Sequence, residues 1–264
     1  PYREELDRAS PNNPVVLVRA CGHIWICNSQ ALALAGIDEN TPPPSDGLIE
    51  QQNGRLTGLL AENGSAMVRA AIPVPTEEDL VGGIERGGNY LLSLGITSCM
   101  DAAVGQKAGF AEIAAYHRAK RDGRLPVRTW LTLLGDDGRS IVPQCHAAGL
   151  ISGTGDDMLM IGAVKLFLDG ALGSRGAWLK APYADDPRNT GLPLTTTTQL
   201  RNLMSRAALD KFQVAIHAIG DAANAEVLGA IEELSESYKG DRRWRIEHAQ
   251  IIDPADIARM GRHG

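Results

Sequence analysis

From about residue 95 the chain alternates short apolar runs with amphipathic stretches at a nearly constant period, and this alternation constrains the fold more than any other feature. The runs 95–101, 125–134, 161–169, 212–217 and 244–248 are bounded by turn residues and read as strands. Residues 109–121, 199–211 and 222–234 read as helices, 143–148 as a weak one, and Asp253-Pro254 supplies an N-cap followed by proline at the first position of a last helix. Strand starts fall near 96, 127, 161, 212 and 244, so most steps are 31 to 35 residues. A strand–helix–strand series builds a parallel sheet with right-handed crossovers. A repeat of about 31 residues is that of an eight-fold barrel of about 250 residues. The one longer step holds a Gly-rich insertion, 170–193. Five units fit, which makes an open five-stranded sheet or an incomplete barrel.

The first 75 residues lack this rhythm and read as irregular. Within them, 15–19 is a short β-like run, 28–35 a short helix stopped by Gly36, 41–47 a loop and 56–60 a strand. Thr76-Glu77-Glu78-Asp79 has the pattern of a capping box opening a helix to about Leu94. The expected organisation is a segment 1–75 and an α/β domain 76–264.

Composition narrows the function classes. The net charge of −6 carries no basic stripe for phosphate contacts, which argues against a nucleic-acid partner. No apolar run approaches the roughly 18 residues of a membrane span. Four cysteines without CxxC spacing fit a reducing, cytoplasmic compartment better than a disulfide scaffold. A small-molecule substrate is the expected partner, and the free edges of an unclosed sheet leave room for a second copy of the chain to pair edge to edge.

Lys165 is the most informative single position, because it interrupts an otherwise apolar strand. Burial disfavours the ammonium form, and a neutral amine can attack CO2 to give a carbamate or a carbonyl to give a Schiff base. The alternative is that alternation points it at a carboxylate or into solvent. His217 and His248 each end a strand, one βα unit apart, at the face where barrels of this kind place their chemistry. Two imidazoles on adjacent parallel strands can converge on one metal, although a lone strand-end histidine is more often structural. Asp169 and Asp221 also follow strands, and Asp221 reads equally as a helix cap or as a residue behind the ligands. Arg175, in the loop after Asp169, either grips an anionic substrate group or is solvated. Glu247 is expected on the opposite side of its strand from His248, as a structural ion-pair partner.

Five segments in order carry a resemblance: Gly22-His23-Ile24-Trp25-Ile26-Cys27-Asn28-Ser29, Gly95-Ile96-Thr97-Ser98, Val164-Lys165-Leu166-Phe167-Leu168-Asp169-Gly170 with Ser174-Arg175, His217-Ala218-Ile219-Gly220-Asp221, and Ile246-Glu247-His248-Ala249-Gln250. At these residues the chain resembles the amidohydrolase superfamily and, more narrowly, the YtcJ-like metal-dependent hydrolases of the amidohydrolase-3 group. The resemblance implies a partial (β/α)8 TIM barrel, strands two to six, with an N-terminal insertion segment. It implies a divalent metal, one or two ions and zinc by preference, held by His217, His248 and a carbamylated Lys165. Asp169 and Asp221 would stand behind these ligands, and His23 and Arg175 would line the substrate pocket. The expected reaction is hydrolysis of amide, formamide or cyclic amide C–N bonds by a metal-activated water. A Schiff-base aldolase using Lys165 and a catalytically silent binding or regulatory domain are the rivals. The family's first-strand His-x-His pair and eighth-strand Asp have no counterpart here, and Met100 stands where the family often has histidine. The resemblance thus implies a middle fragment of a longer enzyme, inactive alone.

Overall fold

The computed structural model describes residues 1–19, 22, 24–44, 47–135 and 138–262. They fall into two units, Pro1–Pro73 and Val74–Gly264.

The first unit is not irregular. Helix α1 (Arg3–Ala9) is followed by β1 (Val16–Val18), β2 (Ile24–Cys27), α2 (Ser29–Leu34), β3 (Gly47–Gln52), β4 (Arg55–Glu62) and α3 (Ala66–Ala71). The strands form an antiparallel sheet in the order β1-β2-β4-β3. Asn53 and Gly54 join β3 to β4 with positive φ at both positions (51° and 74°), the geometry a two-residue hairpin requires and Asn-Gly accepts most readily. Buried Asn28 caps α2 by accepting from Ala31 N (3.0 Å) and also takes Val15 N (2.9 Å), fixing where β2 ends. The core of this unit is Trp25, Cys27, Leu32, Ile49, Leu60 and Val68.

In the second unit the alternation expected from the sequence is present. Helix α4 (Glu77–Ser93) opens with the Thr76/Asp79 capping box. Then come β5 (Ser98–Val104), α5 (Ala111–Arg121), β6 (Arg128–Leu134), α6 (Val142–Ala147), β7 (Leu159–Phe167), α7 (Thr197–Leu209), β8 (Gln213–Ala218), α8 (Asp221–Ser237), β9 (Arg245–His248) and α9 (Pro254–Met260). The strands pair in parallel in the order β5-β6-β7-β8-β9. This curled half-barrel sheet brings its two edges within side-chain reach, for Arg245 on β9 donates to the Met100 sulfur on β5 (3.0 Å). Among the described residues no helix is long and apolar enough to cross a membrane.

The register shows which face is which. Leu131 pairs with Ile161, Leu133 with Val164, Val164 with Val214 and Leu166 with Ile216. These side chains pack under Val81, Ile113, Leu200, Met204 and Val227 from the helices. Between Leu131 and Leu133 the pairing slips, so that one residue of β6 opposes two of β7. That β-bulge reverses the phase of β7. Strict alternation would send Lys165 to the helix side together with Ile161. After the bulge it lies instead on the inner face, in register with Leu134 and Ala215. Thr132 sits opposite this bulge and a second one on β5, where its hydroxyl donates to Asp101 O (2.6 Å).

The inner face also explains Gly162. A Cβ built there would lie 1.6 Å from the indole nitrogen of Trp130. Gly162→Ala is therefore expected to cost about 1–3 kcal/mol or more by overpacking, read as a lower melting temperature. The double variant with Trp130→Leu should recover most of the loss. An unchanged melting temperature in the single variant would contradict the close packing.

Burial pushes the thiols of Cys27 and Cys145 up to about 11. A folded-state pKa above that of the unfolded chain means that unfolding releases protons in this window. The stability these residues supply is intact below about 8.5 and is lost as pH rises through about 11. Native alkylation followed by peptide mapping should label Cys99, which is partly exposed, well before Cys27 or Cys145.

Candidate functional site

Three of the residues singled out from the sequence, Lys165, His217 and His248, lie toward the C-terminal ends of β7, β8 and β9. Lys165 and Phe167 alternate onto the inner face of β7, and Phe167 is in register with His217 on β8. Lys165 is only 4% exposed, and its side-chain nitrogen Nζ lies 4.8 Å from the centre of the Phe167 ring. That ring is 5.5 Å from the imidazole of His217. His217 in turn meets His248 edge-on, with ring centres 4.7 Å apart.

His248 reaches this position against the rule of alternation. In register, Glu247 is the partner of His217, and it ion-pairs with Arg245 on the same face (2.5 Å). Two successive non-glycine residues then turn left-handed, His248 at φ 76° and Ala249 at φ 47°. This geometry costs about 1–2 kcal/mol per residue and persists only where surrounding contacts enforce it. Its consequence is to bring the His248 ring against His217.

The electrostatics of His217 follow from its surroundings. Burial holds its imidazole below the usual histidine range. The Gly170 carbonyl and Asp169 pull upward, while Lys165 and His248 push further down. Its Nε2 is 3.4 Å from both Gly170 O and Asp169 Oδ1. A carbonyl can only accept, so Nε2 carries the proton and Nδ1 carries the lone pair.

Asp169 is buried and serves the backbone. Its carboxylate accepts from Trp178 N (2.9 Å), Ile219 N (3.0 Å) and Gly220 N (2.9 Å). It thus ties the long excursion after β7 to the loop after β8. The approach is close, since a Cβ on Gly220 would lie 1.8 Å from Trp178 O. Asp221 is the first residue of α8, whose N-cap is Gly220, and its carboxylate accepts from Lys180 N (2.9 Å). Lys180 continues the strap by pairing with Asp253 (2.6 Å) and Asp256 (3.2 Å) at the start of α9.

Arg175 is engaged within its own loop. It is left-handed (φ 55°), half exposed, and forked onto Asp185 (3.2 and 2.7 Å) in its own loop. His23 lies outside the described residues. Sequence reasoning assigns no role to Phe167 or Trp178. Phe167 was within reach of it, as an aromatic two residues beyond Lys165 on the same face. Nothing local marks Trp178, whose contacts come from residues 9 to more than 40 positions away.

The donors brought together are two imidazoles and an amine, a nitrogen set that suits a zinc-like ion. A structural or catalytic zinc takes three or four protein ligands. Among the described residues no group of three or more His, Cys, Asp or Glu side chains is placed to hold an ion. The chemistry of the donors fits a metal, and their number supplies part of a ligand set.

Comparison with known proteins gives the same direction. The chain is 35% identical over 272 residues to the putative amidohydrolase YtcJ of Bacillus subtilis (strain 168), covering 98% of this chain and 48% of that protein. It is 31% identical over 267 residues to the N-substituted formamide deformylase of Arthrobacter pascens, again covering 98% and 48%. The crystal structure of an uncharacterized metal-dependent hydrolase from Pyrococcus horikoshii OT3 superposes with a TM-score of 0.74 at 30% identity, over 98% of this chain and 48% of that one. The chain thus spans about half the length of the relatives it matches. The model of the Amidohydrolase family matches residues 1–264 throughout, and the chain belongs to that family.

Proposed function

We propose that the protein carrying this chain is a metal-dependent hydrolase of non-peptide C–N bonds, with amides, N-substituted formamides or cyclic amides as the substrate class. The observation that carries this reading is the edge-on meeting of His217 and His248 at 4.7 Å, with the buried amine of Lys165 behind Phe167. Similarity to a formamide deformylase and to metal-dependent hydrolases supports it.

In this reading His217 and His248 would hold a divalent ion, zinc by preference, and Lys165, once its amine had taken up CO2 with loss of a proton, would add an oxygen donor as its carbamate. A divalent ion there would lower the pKa of a bound water to about 7 and polarise the carbonyl under attack. The chain's own part is positional. Burial keeps His217 neutral, the state a ligand requires. Gly170 O holds the proton on Nε2 and leaves Nδ1 for the metal. Asp169 fixes the loops that carry these atoms.

The test is metal analysis of the intact protein together with a panel of formamides, cyclic amides and esters. A stoichiometric divalent metal, with turnover of a C–N substrate that chelation abolishes and metal restores, is the expected result. Full turnover in chelator, or trapping of Lys165 by borohydride with a carbonyl substrate, would overturn it.

A further inference from the structure

Asn224, in the first turns of α8, is fully buried, and none of the roles above uses it. Its side-chain amide donates to Gly220 O (2.9 Å), Ile251 O (3.1 Å) and Ile219 O (3.3 Å). Among the described residues its buried Oδ1 has no partner. Rotating the amide would aim that oxygen at three carbonyl oxygens, so the NH2 group must face them. A buried acceptor is left unsatisfied so that these carbonyls are served.

The carbonyls belong to the two loops that set the imidazoles. Residues 219–220 follow His217, and their N–H groups are held by Asp169 while their C=O groups are held by Asn224. Ile251 closes the left-handed turn at His248–Ala249. Its N–H donates to Ile219 O (2.9 Å), Ala249 N donates to Ala218 O (3.1 Å), and the Ile251 C=O accepts from Asn224. Strained backbone persists only where its surroundings over-determine it, and the Asn224 side chain ties Ile251, on the far flank of this turn, to residues 219–220 of the neighbouring loop.

We infer that Asn224 is a positioning residue: it holds the His248–Ala249 turn in its left-handed form and so keeps the His248 imidazole against His217. The inference deepens the proposed function, on which it rests for what the imidazole pair is for. Without Asn224 the turn relaxes toward extended backbone, and alternation carries His248 away from its partner.

The experiment compares Asn224→Ala with Val227→Ala, an equally buried truncation on the same helix. Histidine-labelled protein reports an inter-ring NOE between His217 and His248, expected from ring centres 4.7 Å apart. Both variants are expected to melt at lower temperature. Only Asn224→Ala is expected to lose the NOE, by about fivefold or more. An NOE of native strength in that variant would overturn the inference.

Ala249→Gly provides a second measurement that does not need the NOE, since glycine accepts positive φ at no steric cost. The drop in melting temperature caused by Asn224→Ala should be smaller in the Ala249→Gly background. Equal drops, or a double variant that is unfolded where Ala249→Gly alone is folded, would overturn the inference. Neither readout involves metal or substrate. If both behave as expected while metal content of the intact protein is unaffected by Asn224→Ala, the positioning role stands and the metal-site reading fails.

Discussion

His217→Gln in the intact protein is expected to lower kcat/KM for C–N hydrolysis by about a thousandfold or more, roughly 4 kcal/mol of transition-state stabilisation. Glutamine can still offer an N–H toward Gly170 O, so the loop contact is largely kept. It has no basic nitrogen lone pair, so the proposed metal ligand is lost. The fold is expected to survive, because the strand core beneath His217 is made by Val214 and Ile216 on the other face. Steady-state kinetics beside a thermal melt separates the two effects. A variant within tenfold of the native rate would remove His217 from the chemistry.

Asp169→Ala is expected to be the most destabilising single change at the site. It leaves the N–H groups of Trp178, Ile219 and Gly220 without an acceptor in a buried setting. A buried donor left unsatisfied costs about 1–3 kcal/mol, so three amount to about 3–9 kcal/mol, a large part of the 5–15 kcal/mol that holds a typical domain folded. At roughly 2–4 °C per kcal/mol in a chain of this size, the melting temperature should fall by about 6 °C or more. Asp169→Asn should fall between, because an amide oxygen can still accept while its NH2 opposes the remaining donors. A loss under about 1 kcal/mol would mean that water replaces the carboxylate.

The barrel half of the molecule was legible because its signals are local. Aliphatic runs, a capping box at Thr76 and the Asp253-Pro254 start all act within a few residues, and each expected element is present near its expected bounds. The first 75 residues were less legible. Their sheet pairs strands as far apart as β2 and β4, and although the runs 15–19 and 56–60 mark β1 and β4 locally, nothing local marks β2, β3 or the pairing.

At the site, the sequence placed Lys165, His217 and His248 on consecutive strands, and the structure brings them to one mouth. The route differs from simple alternation. A bulge turns Lys165 inward, and a strained left-handed turn swings His248 across. Neither device has a one-residue signature, since both depend on register with neighbouring strands. Arg175 shows the converse, for its charge was plain in the sequence while its partner Asp185 was a matter of loop geometry.

His217 and His248 are expected to bind one metal ion. Anomalous scattering at the metal edge, in crystals of the intact protein, tests it most directly. The expected result is a peak bonded to a ring nitrogen of each histidine, at about 2.0–2.1 Å if the metal is zinc, with density for a carbamate on Lys165. A peak elsewhere, with both imidazoles unliganded, would contradict it.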